Sequence, residues 1–188
     1  MSLAPACPHC AAIGSSRVPS RRFVITGLTA AAVLPVAEAL AAAPAAAEDE
    51  RFMRIALAEA SRGDFPFGTV IVRGGRMIAR GHNLGRTNDD PTAHGEMVAI
   101  RRCLAKHGSS ALKGATLYTS GEPCAMCMGA ILWCRFGRLV FAASVEQLAT
   151  KIGQIMVSSA DIAAKTDFVP ISITGGVLAD DAMKLFAK

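Results

Sequence analysis

The pattern of apolar positions first predicts a helix and then a β-hairpin. Residues 49–62 carry apolar side chains three and four positions apart, which is the spacing of one helix face, and Gly63 offers a C-terminal stop. Residues 68–72 are rich in β-branched and apolar side chains, as is typical of a strand. The glycine pair at 74–75 predicts a tight turn, and residues 77–79 continue as the partner strand.

Helices and strands then alternate to the end of the chain. The predicted elements are a helix over 94–107, a strand over 115–119, a helix over 123–134, a strand over 139–142, a weak helix over 159–165, a strand over 169–174 and a helix over 178–187. Met97, Ile100 and Leu104 are expected to face inward on the first of these helices. This alternation predicts an α/β sandwich around one mixed sheet.

Composition narrows the class of protein. The chain has 188 residues, a length that suits one domain with a real core. Hydrophobic residues make up 52% and charged residues 19%, which excludes a disordered chain. Six cysteines are too few for a disulfide scaffold. The net charge is +5 overall and +3 for residues 48–188, which is too weak to argue for a nucleic-acid partner.

The first 47 residues differ in composition from the rest, with 15 alanines and four charged side chains. Arg21 and Arg22 precede an apolar, alanine-rich run that ends in small residues suited to signal cleavage. The arginine pair resembles a twin-arginine export signal. We therefore expect residues 1–47 to be a cleaved export signal and residues 48–188 to be a periplasmic or secreted domain with no stable membrane association.

Other interpretations of this segment stay open. An uncleaved membrane anchor is disfavoured by Pro35 and Glu38 within the apolar run. A misassigned start codon or a plain alanine-rich tail would leave the protein in the cytoplasm. Cys7 and Cys10 lie ahead of the apolar run and form only half of a closed zinc site, so we regard them as incidental.

Two cysteines and a histidine form a candidate metal site. Cys124 and Cys127 are three positions apart at the start of a predicted helix, so they share one face where the helix dipole favours thiolates. His94 can supply a third ligand for Zn²⁺. Three protein ligands leave a fourth position for water, which is the arrangement of catalytic rather than structural zinc. Glu96 follows His94 by two residues and can exchange protons with that water without binding the metal.

His94-Gly95-Glu96 followed by Pro123-Cys124 and Cys127 matches the H-x-E and P-C-x-x-C signature of zinc deaminases. The chain resembles the cytidine-deaminase-like superfamily, in the branch with guanine deaminases and tRNA adenosine deaminases. The resemblance covers nearly all of residues 50–188 and is strongest over 66–68, 81–83, 90–96 and 122–131.

The resemblance implies a three-layer α/β/α sandwich with a five-stranded mixed sheet, one Zn²⁺ per chain and a homodimer. It also implies that His94, Cys124 and Cys127 are zinc ligands, that Glu96 is the proton shuttle and that Asn83 hydrogen-bonds the substrate base. The reaction it implies is hydrolytic deamination, in which water replaces an exocyclic amine and ammonia leaves. Glu122 has two interpretations: a contact that supports the metal site, or a carboxylate that favours the helix start.

Guanine, which would give xanthine, is the favoured substrate because Phe67 and Trp133 resemble the guanine deaminase versions of their motifs. Two departures weaken that assignment. Residues 153–156 stand where guanine deaminases carry an acidic segment. Gly95 replaces the usual alanine, a form also associated with fungal-type cytosine deaminases, although it could simply relieve crowding at a helix start. Cytosine or another amino-heterocycle is therefore the first alternative.

A tRNA adenosine deaminase is the next alternative, because residues 177–181 resemble the final helix of the tRNA enzymes. A tRNA substrate would need a basic surface. The main basic clusters of the chain are the pair Arg101 and Arg102 and the pair Arg135 and Arg138, and we interpret both as solvated faces. Export would also separate the protein from tRNA, so a small molecule is the expected partner. The last alternative is a zinc-stabilised module without catalysis, against which Glu96 argues because a structural site has no need of it.

Overall fold

The computed structural model of the chain describes residues 47–187. The predicted export signal, apart from Ala47, and the Cys7–Cys10 motif lie outside the described residues. The elements are α1 (Ala47–Ala60), β1 (Gly68–Arg73), β2 (Arg76–His82), α2 (Gly95–His107), a 3₁₀ turn (Ser109–Ala111), β3 (Thr116–Gly121), α3 (Ala125–Trp133), β4 (Arg138–Ala143), α4 (Val145–Ala149), α5 (Ser159–Ala163), β5 (Ser172–Thr174) and α6 (Ala179–Lys184).

The five strands form one mixed sheet in the order β2-β1-β3-β4-β5. β1 runs antiparallel to both β2 and β3, whereas β3, β4 and β5 are parallel. Gly74 and Gly75, both with positive φ, form the predicted turn between β1 and β2. The mixed five-stranded α/β architecture expected from the sequence is confirmed.

Successive strand residues face opposite sides of the sheet, so each side has its own apolar core. The core beneath α1 and α6 includes Phe52, Met53, Ala56, Val70, Tyr118, Val140 and Ala182. The core beneath α2 and α3 includes Ile71, Ile100, Leu117, Met128, Ile131 and Leu139. Gly68 lets α1 approach β1 closely, because a Cβ there would overlap the carbonyl oxygen of Ala56. Within residues 47–187, no helix is both long enough and apolar enough to cross a membrane.

Several sequence predictions need correction. Leu104 is 39% exposed, because Ala99, Ile100 and Cys103 form the buried face of α2 and Leu104 lies beside it. The predicted strand over 169–174 is paired only from Ser172, because Pro170 has no N–H to donate to a neighbouring strand.

Helix boundaries also differ from the prediction. α3 begins at Ala125, because Cys124 is the N-cap and has an extended backbone. The predicted helices over 159–165 and 178–187 are shorter, at Ser159–Ala163 and Ala179–Lys184. α4 was not predicted. Its five residues are too few for a periodic pattern, but Ser144 and Gln147 form the capping box that would have marked its start.

Arg138 is not part of a solvated face, as the sequence had indicated. Its guanidinium forms two hydrogen bonds of 2.7 Å with the carboxylate of Asp49, which is buried in the first turn of α1. Tyr118 donates a third hydrogen bond to that carboxylate, over 3.0 Å. This network joins α1 to β3 and β4. Arg101 pairs with Asp90, whereas Arg135 is exposed as expected.

Candidate functional site

The candidate site lies where β3 and β4 end. These strands are parallel, and Gly121 pairs with Ala143 at their carboxyl ends. Ligand sites in parallel sheets lie in the crevice beyond such strand ends. The segment after β3 carries Cys124 into the N-terminus of α3, and the segment after β4 turns directly into α4.

α2 brings His94 and Glu96 to the same place. His94 is the N-cap of α2 in an extended conformation, and Glu96 lies in the first turn. Gly95 permits close packing here, since a Cβ on it would lie 2.8 Å from the carbonyl oxygen of Phe67. Gly95 therefore relieves crowding at the helix start, which was one of its two interpretations.

The three predicted metal ligands converge. The Nδ1 atom of His94 lies 3.6 Å from the Sγ of Cys124 and 3.6 Å from the Sγ of Cys127. All three ligand atoms lie within 4.8 Å of one another. Zinc bonds of about 2.3 Å to sulfur and about 2.0–2.1 Å to nitrogen, at a tetrahedral angle, require an N···S separation of about 3.6 Å. The residues therefore fit one Zn²⁺ bound through Nδ1.

The protonation of these groups is coupled. A hydrogen bond from the Cys127 thiol lowers the pKa of Cys124 to about 4, with His94 adding to the effect. The same hydrogen bond, together with burial, raises the pKa of Cys127. The hydrogen bond to Cys124 likewise raises the pKa of His94. Zinc binding would displace the protons that these three side chains share, because the ligands are thiolates and a neutral imidazole.

Glu96 is buried next to the metal ligands. Burial raises the pKa of its carboxyl group, against the opposing effect of nearby His94. Thr119 donates a hydrogen bond of 3.3 Å to Oε1 of Glu96, and Thr69 in turn donates one of 3.3 Å to Thr119. Both threonines are buried on adjacent strands. Neither threonine was predicted to belong to the site, although a polar residue within an apolar strand is a signal that the sequence contains.

A cavity of about 260 Å³ opens onto these groups. It lies just below the range of about 300–1,000 Å³ that is typical of ligand sites, so it suits a single small molecule. Its walls are Phe65, Phe67, Asn83, His94, Glu96, Glu122, Cys124, Ile152, Gly153, Gln154 and Ile155. Phe65 and Ile152 were not predicted to line the site. Residues 153–156 were singled out only because they stand where guanine deaminases were expected to carry an acidic segment.

Asn83, the predicted contact to the substrate base, lines this cavity directly after β2 and is buried. Its Oδ1 accepts a hydrogen bond of 3.0 Å from the backbone N–H of Gly85. Its own backbone N–H donates to the carbonyl oxygen of Phe67 over 2.9 Å. The contact to Oδ1 orients the side-chain amide, and the backbone contact holds the residue in the cavity wall, where its NH₂ group can donate to a ligand.

The two aromatic residues of the guanine-type motifs have different positions. Phe67 lines the cavity and has Phe186 packed edge-on against it, with ring centroids 5.4 Å apart. Trp133 is 77% exposed, stacks on Phe168 and does not line the cavity. Of these two residues, only Phe67 is placed to contact a substrate within one chain.

Glu122 stabilises helix starts, as one of its two interpretations held, but not the start of α3. It accepts hydrogen bonds from the backbone N–H groups of Val145 and Ser159, the first residues of α4 and α5, and within residues 47–187 no hydrogen bond joins its side chain to a zinc ligand. These residues are 23 and 37 positions further along the chain, so no local pattern could have revealed the contacts.

Characterised proteins with both expected activities are similar to this chain. Guanine deaminase of Bacillus subtilis (strain 168) is 50% identical over 78 residues, 42% of this chain and 50% of the relative. The tRNA-specific adenosine deaminase of the same organism is 42% identical over 100 residues, 51% of this chain and 62% of the relative. The chain thus matches about half to three-fifths of the length of these relatives.

Solved structures show the same fold. A chain from a study of A-to-I editing by tRNA:A34 deaminases is 33% identical, with a TM-score of 0.62 over 72% of this chain and 98% of that one. A single-residue variant of the protein NE0047, in complex with 8-azaguanine, is 25% identical, with a TM-score of 0.65 over 76% of this chain and 84% of that one.

Residues 46–143 match the family profile described as "Cytidine and deoxycytidylate deaminase zinc-binding region". The match covers just over half of the chain and includes Asn83, Glu96 and all three zinc ligands. The chain therefore belongs to the cytidine and deoxycytidylate deaminase zinc-binding family.

Proposed function

We propose that this protein is a zinc-dependent aminohydrolase that converts guanine to xanthine and ammonia. The observation that carries the proposal is the position of Glu96, buried in a small cavity beside a three-ligand zinc site. A structural zinc site is normally closed by four protein ligands and needs no such carboxylate.

When bound, zinc activates a water molecule as the nucleophile. Glu96 accepts a proton from the attacking water and donates it to the ring nitrogen next to the reacting carbon. It then accepts the proton of the newly added hydroxyl and donates it to the exocyclic amine, which leaves as ammonia. Water supplies the oxygen and both protons, so Glu96 ends in the state in which it began.

The other walls of the cavity bind and orient the base. Phe65 and Phe67 offer aromatic surface to a flat ring. The amide NH₂ of Asn83 can donate to a ring nitrogen or a carbonyl oxygen of the base. Guanine is favoured because Phe67 lies in the wall, because a guanine deaminase is 50% identical over 78 residues and because a structural neighbour binds 8-azaguanine.

Deamination of adenosine in tRNA is the second candidate function. The chain matches 98% of the length of a structure from a study of tRNA:A34 deaminases, at 33% identity. The uncharged Gln154 in the cavity wall, where an acidic segment was expected for guanine, is compatible with this alternative and also with cytosine.

We also propose a homodimer. Trp133 and Phe168 stack at 4.9 Å while 77% and 40% exposed, and Ile155 and Met156 are 60% and 58% exposed. Large apolar side chains at such exposure are typical of surfaces that a partner covers. Light scattering should give the dimer mass for the wild type and a lower mass for Trp133→Arg. A monomeric wild type would contradict this proposal.

Export to the periplasm by a twin-arginine signal is a further proposal, based on Arg21, Arg22 and the apolar run that follows them. N-terminal sequencing of protein from the native host should find the mature chain starting near Glu48. Recovery of only full-length cytosolic protein would refute it.

The test of the function is ammonia release by the zinc-loaded full-length protein. The substrate panel comprises guanine, cytosine, adenine, adenosine, cytidine, triazine analogues and tRNA. Guanine is expected to react fastest. Turnover of cytosine or of tRNA instead would preserve the chemistry and replace the substrate. A zinc-loaded protein that releases no ammonia from any of them would contradict deamination itself.

A further inference from the structure

Glu122 is a buried carboxylate that the proposed chemistry does not use. It is 7% exposed and lies between the end of β3 and the zinc ligand Cys124. Its Oε2 accepts a hydrogen bond of 2.9 Å from the N–H of Val145, and its Oε1 accepts one of 2.7 Å from the N–H of Ser159. Its own N–H donates to the carbonyl oxygen of Ala143 over 2.7 Å.

The two donors enclose one segment of the chain. Val145 is the first residue of α4 and Ser159 is the first residue of α5. Between these helices runs a segment that we call the 150–158 loop. It supplies residues 152–155 to the cavity wall. One carboxylate therefore holds the helices at both ends of the segment that closes one side of the cavity.

Within a single chain, the middle of the 150–158 loop has little else to hold it. Ile155, Met156 and Val157 are 60%, 58% and 39% exposed, so their side chains are poorly packed within one chain. A loop with few buried contacts takes its position largely from its ends. Hydrogen bonds from backbone N–H groups to a buried carboxylate are short and stronger than those between neutral groups.

Glu122 and the zinc ligand Cys124 belong to the same short segment of the chain. Glu122 precedes Cys124 by two residues, and Pro123 between them restricts the backbone. The position of the 150–158 loop is thereby tied to the position of the zinc ligands. We propose that Glu122 is a positioning residue that holds this loop at a fixed distance from the metal site and so determines which base the cavity accepts. Its effect on substrate choice rests on the proposed function, whereas its hold on the loop does not.

The first test is Glu122→Gln in the zinc-loaded full-length protein. The amide can accept from one N–H but presents NH₂ to the other, so one end of the loop is released. We expect amide hydrogen exchange in residues 150–158 to rise about tenfold or more, the size of losing one hydrogen bond to a charged group. KM for guanine should rise by about as much, while kcat changes less than about threefold and discrimination between bases of different size weakens.

A second variant removes the same hydrogen bond without altering the segment that holds Cys124. Ser159→Pro deletes the N–H that Oε1 accepts. Proline suits the first position of a helix, and Ser158 already has the extended backbone, with φ −70° and ψ 154°, that a residue before proline requires. We expect faster exchange in the loop, a raised KM and full zinc content, as for Glu122→Gln.

Two matched controls complete the set. Ser159→Ala keeps the N–H, and Glu146→Gln removes an exposed carboxylate from α4. Both should exchange and select bases like the wild type.

Unchanged exchange in the loop for both Glu122→Gln and Ser159→Pro would overturn the proposal. So would loss of zinc from Glu122→Gln combined with wild-type behaviour of Ser159→Pro, because Glu122 would then only support the metal site. If the wild type deaminated no base, the proposed function would fail, and the exchange measurement would still decide whether Glu122 holds the loop.

Discussion

Asp49 and Arg138 form a bidentate ion pair, with both N···O distances 2.7 Å, between the first turn of α1 and the start of β4. Asp49 is 1% exposed, whereas the Arg138 side chain is 33% exposed. The pair fixes the first described helix to the middle of the sheet, where Tyr118 also contacts the same carboxylate.

Arg138→Met should lower the free energy of unfolding by about 2–4 kcal/mol, because a buried carboxylate loses its guanidinium partner. This loss of unfolding free energy is smaller than that expected for a fully buried ion pair, because Arg138 is partly solvated. Urea denaturation measures it. The matched control is Arg54→Met, which breaks the exposed Glu50–Arg54 pair of the same helix and should cost less than about 1 kcal/mol. Equal losses for the two variants would contradict this interpretation.

Glu96→Gln should keep the fold and the zinc while kcat falls by about 10³-fold or more, since both proton transfers depend on the carboxylate. Zinc content and ammonia release are measured on the same sample. Thr119→Val is a milder variant, because it keeps the carboxylate and removes the hydroxyl that donates to Oε1 of Glu96 and accepts from Thr69. A smaller fall, of about tenfold, is expected there. A Glu96→Gln protein with wild-type turnover would refute the assigned role.

Cys127→Ala should reduce bound zinc from one ion per chain to nearly none at micromolar zinc and abolish turnover. Two remaining ligands cannot make the three-ligand site that catalytic zinc requires. Because metal binding stabilises the folded state, the melting temperature should fall by as much as chelation lowers that of the wild type. Cys134→Ala is the control, since that thiol lies at the other end of α3. Full zinc retention by Cys127→Ala would contradict the ligand set.

Acid should destabilise the protein partly through Glu59. Burial raises the pKa of this carboxyl, but hydrogen bonding to His82 and the charges of Arg80 and Arg62 outweigh it, so the net pKa is lowered. A carboxylate with a lowered folded pKa contributes stability that is present above its unfolded pKa and is lost as the pH falls through the folded value.

The free energy of unfolding of the wild type should therefore drop as the pH falls below about 5, whereas Glu59→Gln should show a shallower dependence in that window. Chemical denaturation at a series of pH values provides the measurement. Glu50→Gln, which removes an exposed carboxylate from the same helix, should keep the wild-type slope. Parallel curves for Glu59→Gln and the wild type would show that Glu59 is not responsible.

The zinc site was predictable because its parts lie close together in sequence. Cys124 and Cys127 are separated by less than one helical turn, and His94 and Glu96 by two residues, so local geometry places each pair. Joining the two pairs rested on the ligand preferences of zinc and on the family resemblance, since His94 and Cys124 are 30 positions apart and meet only in the folded chain.

The rest of the site could not be predicted because it depends on long-range contacts. Glu122 has its partners on two later helices, each of only five residues. Leu104 fitted the helical spacing, yet α2 packs through a neighbouring face that includes Ala99 and Cys103. Trp133 is exposed, although large aromatic side chains are usually buried. A single sequence does not show which surface such a residue contacts.

The hydroxyl chain behind Glu96 makes its two carboxyl oxygens inequivalent. Thr69 donates to Thr119, which donates to Oε1, so this oxygen already accepts one hydrogen bond from the protein. With zinc bound, Cys127 is a thiolate and has no proton to donate to Glu96. Because an accepted hydrogen bond lowers the basicity of a carboxylate oxygen, Oε2 is the favoured site for the transferred proton. Proton transfer to the ring nitrogen and then to the amine is therefore favoured when both atoms of the base come within reach of Oε2.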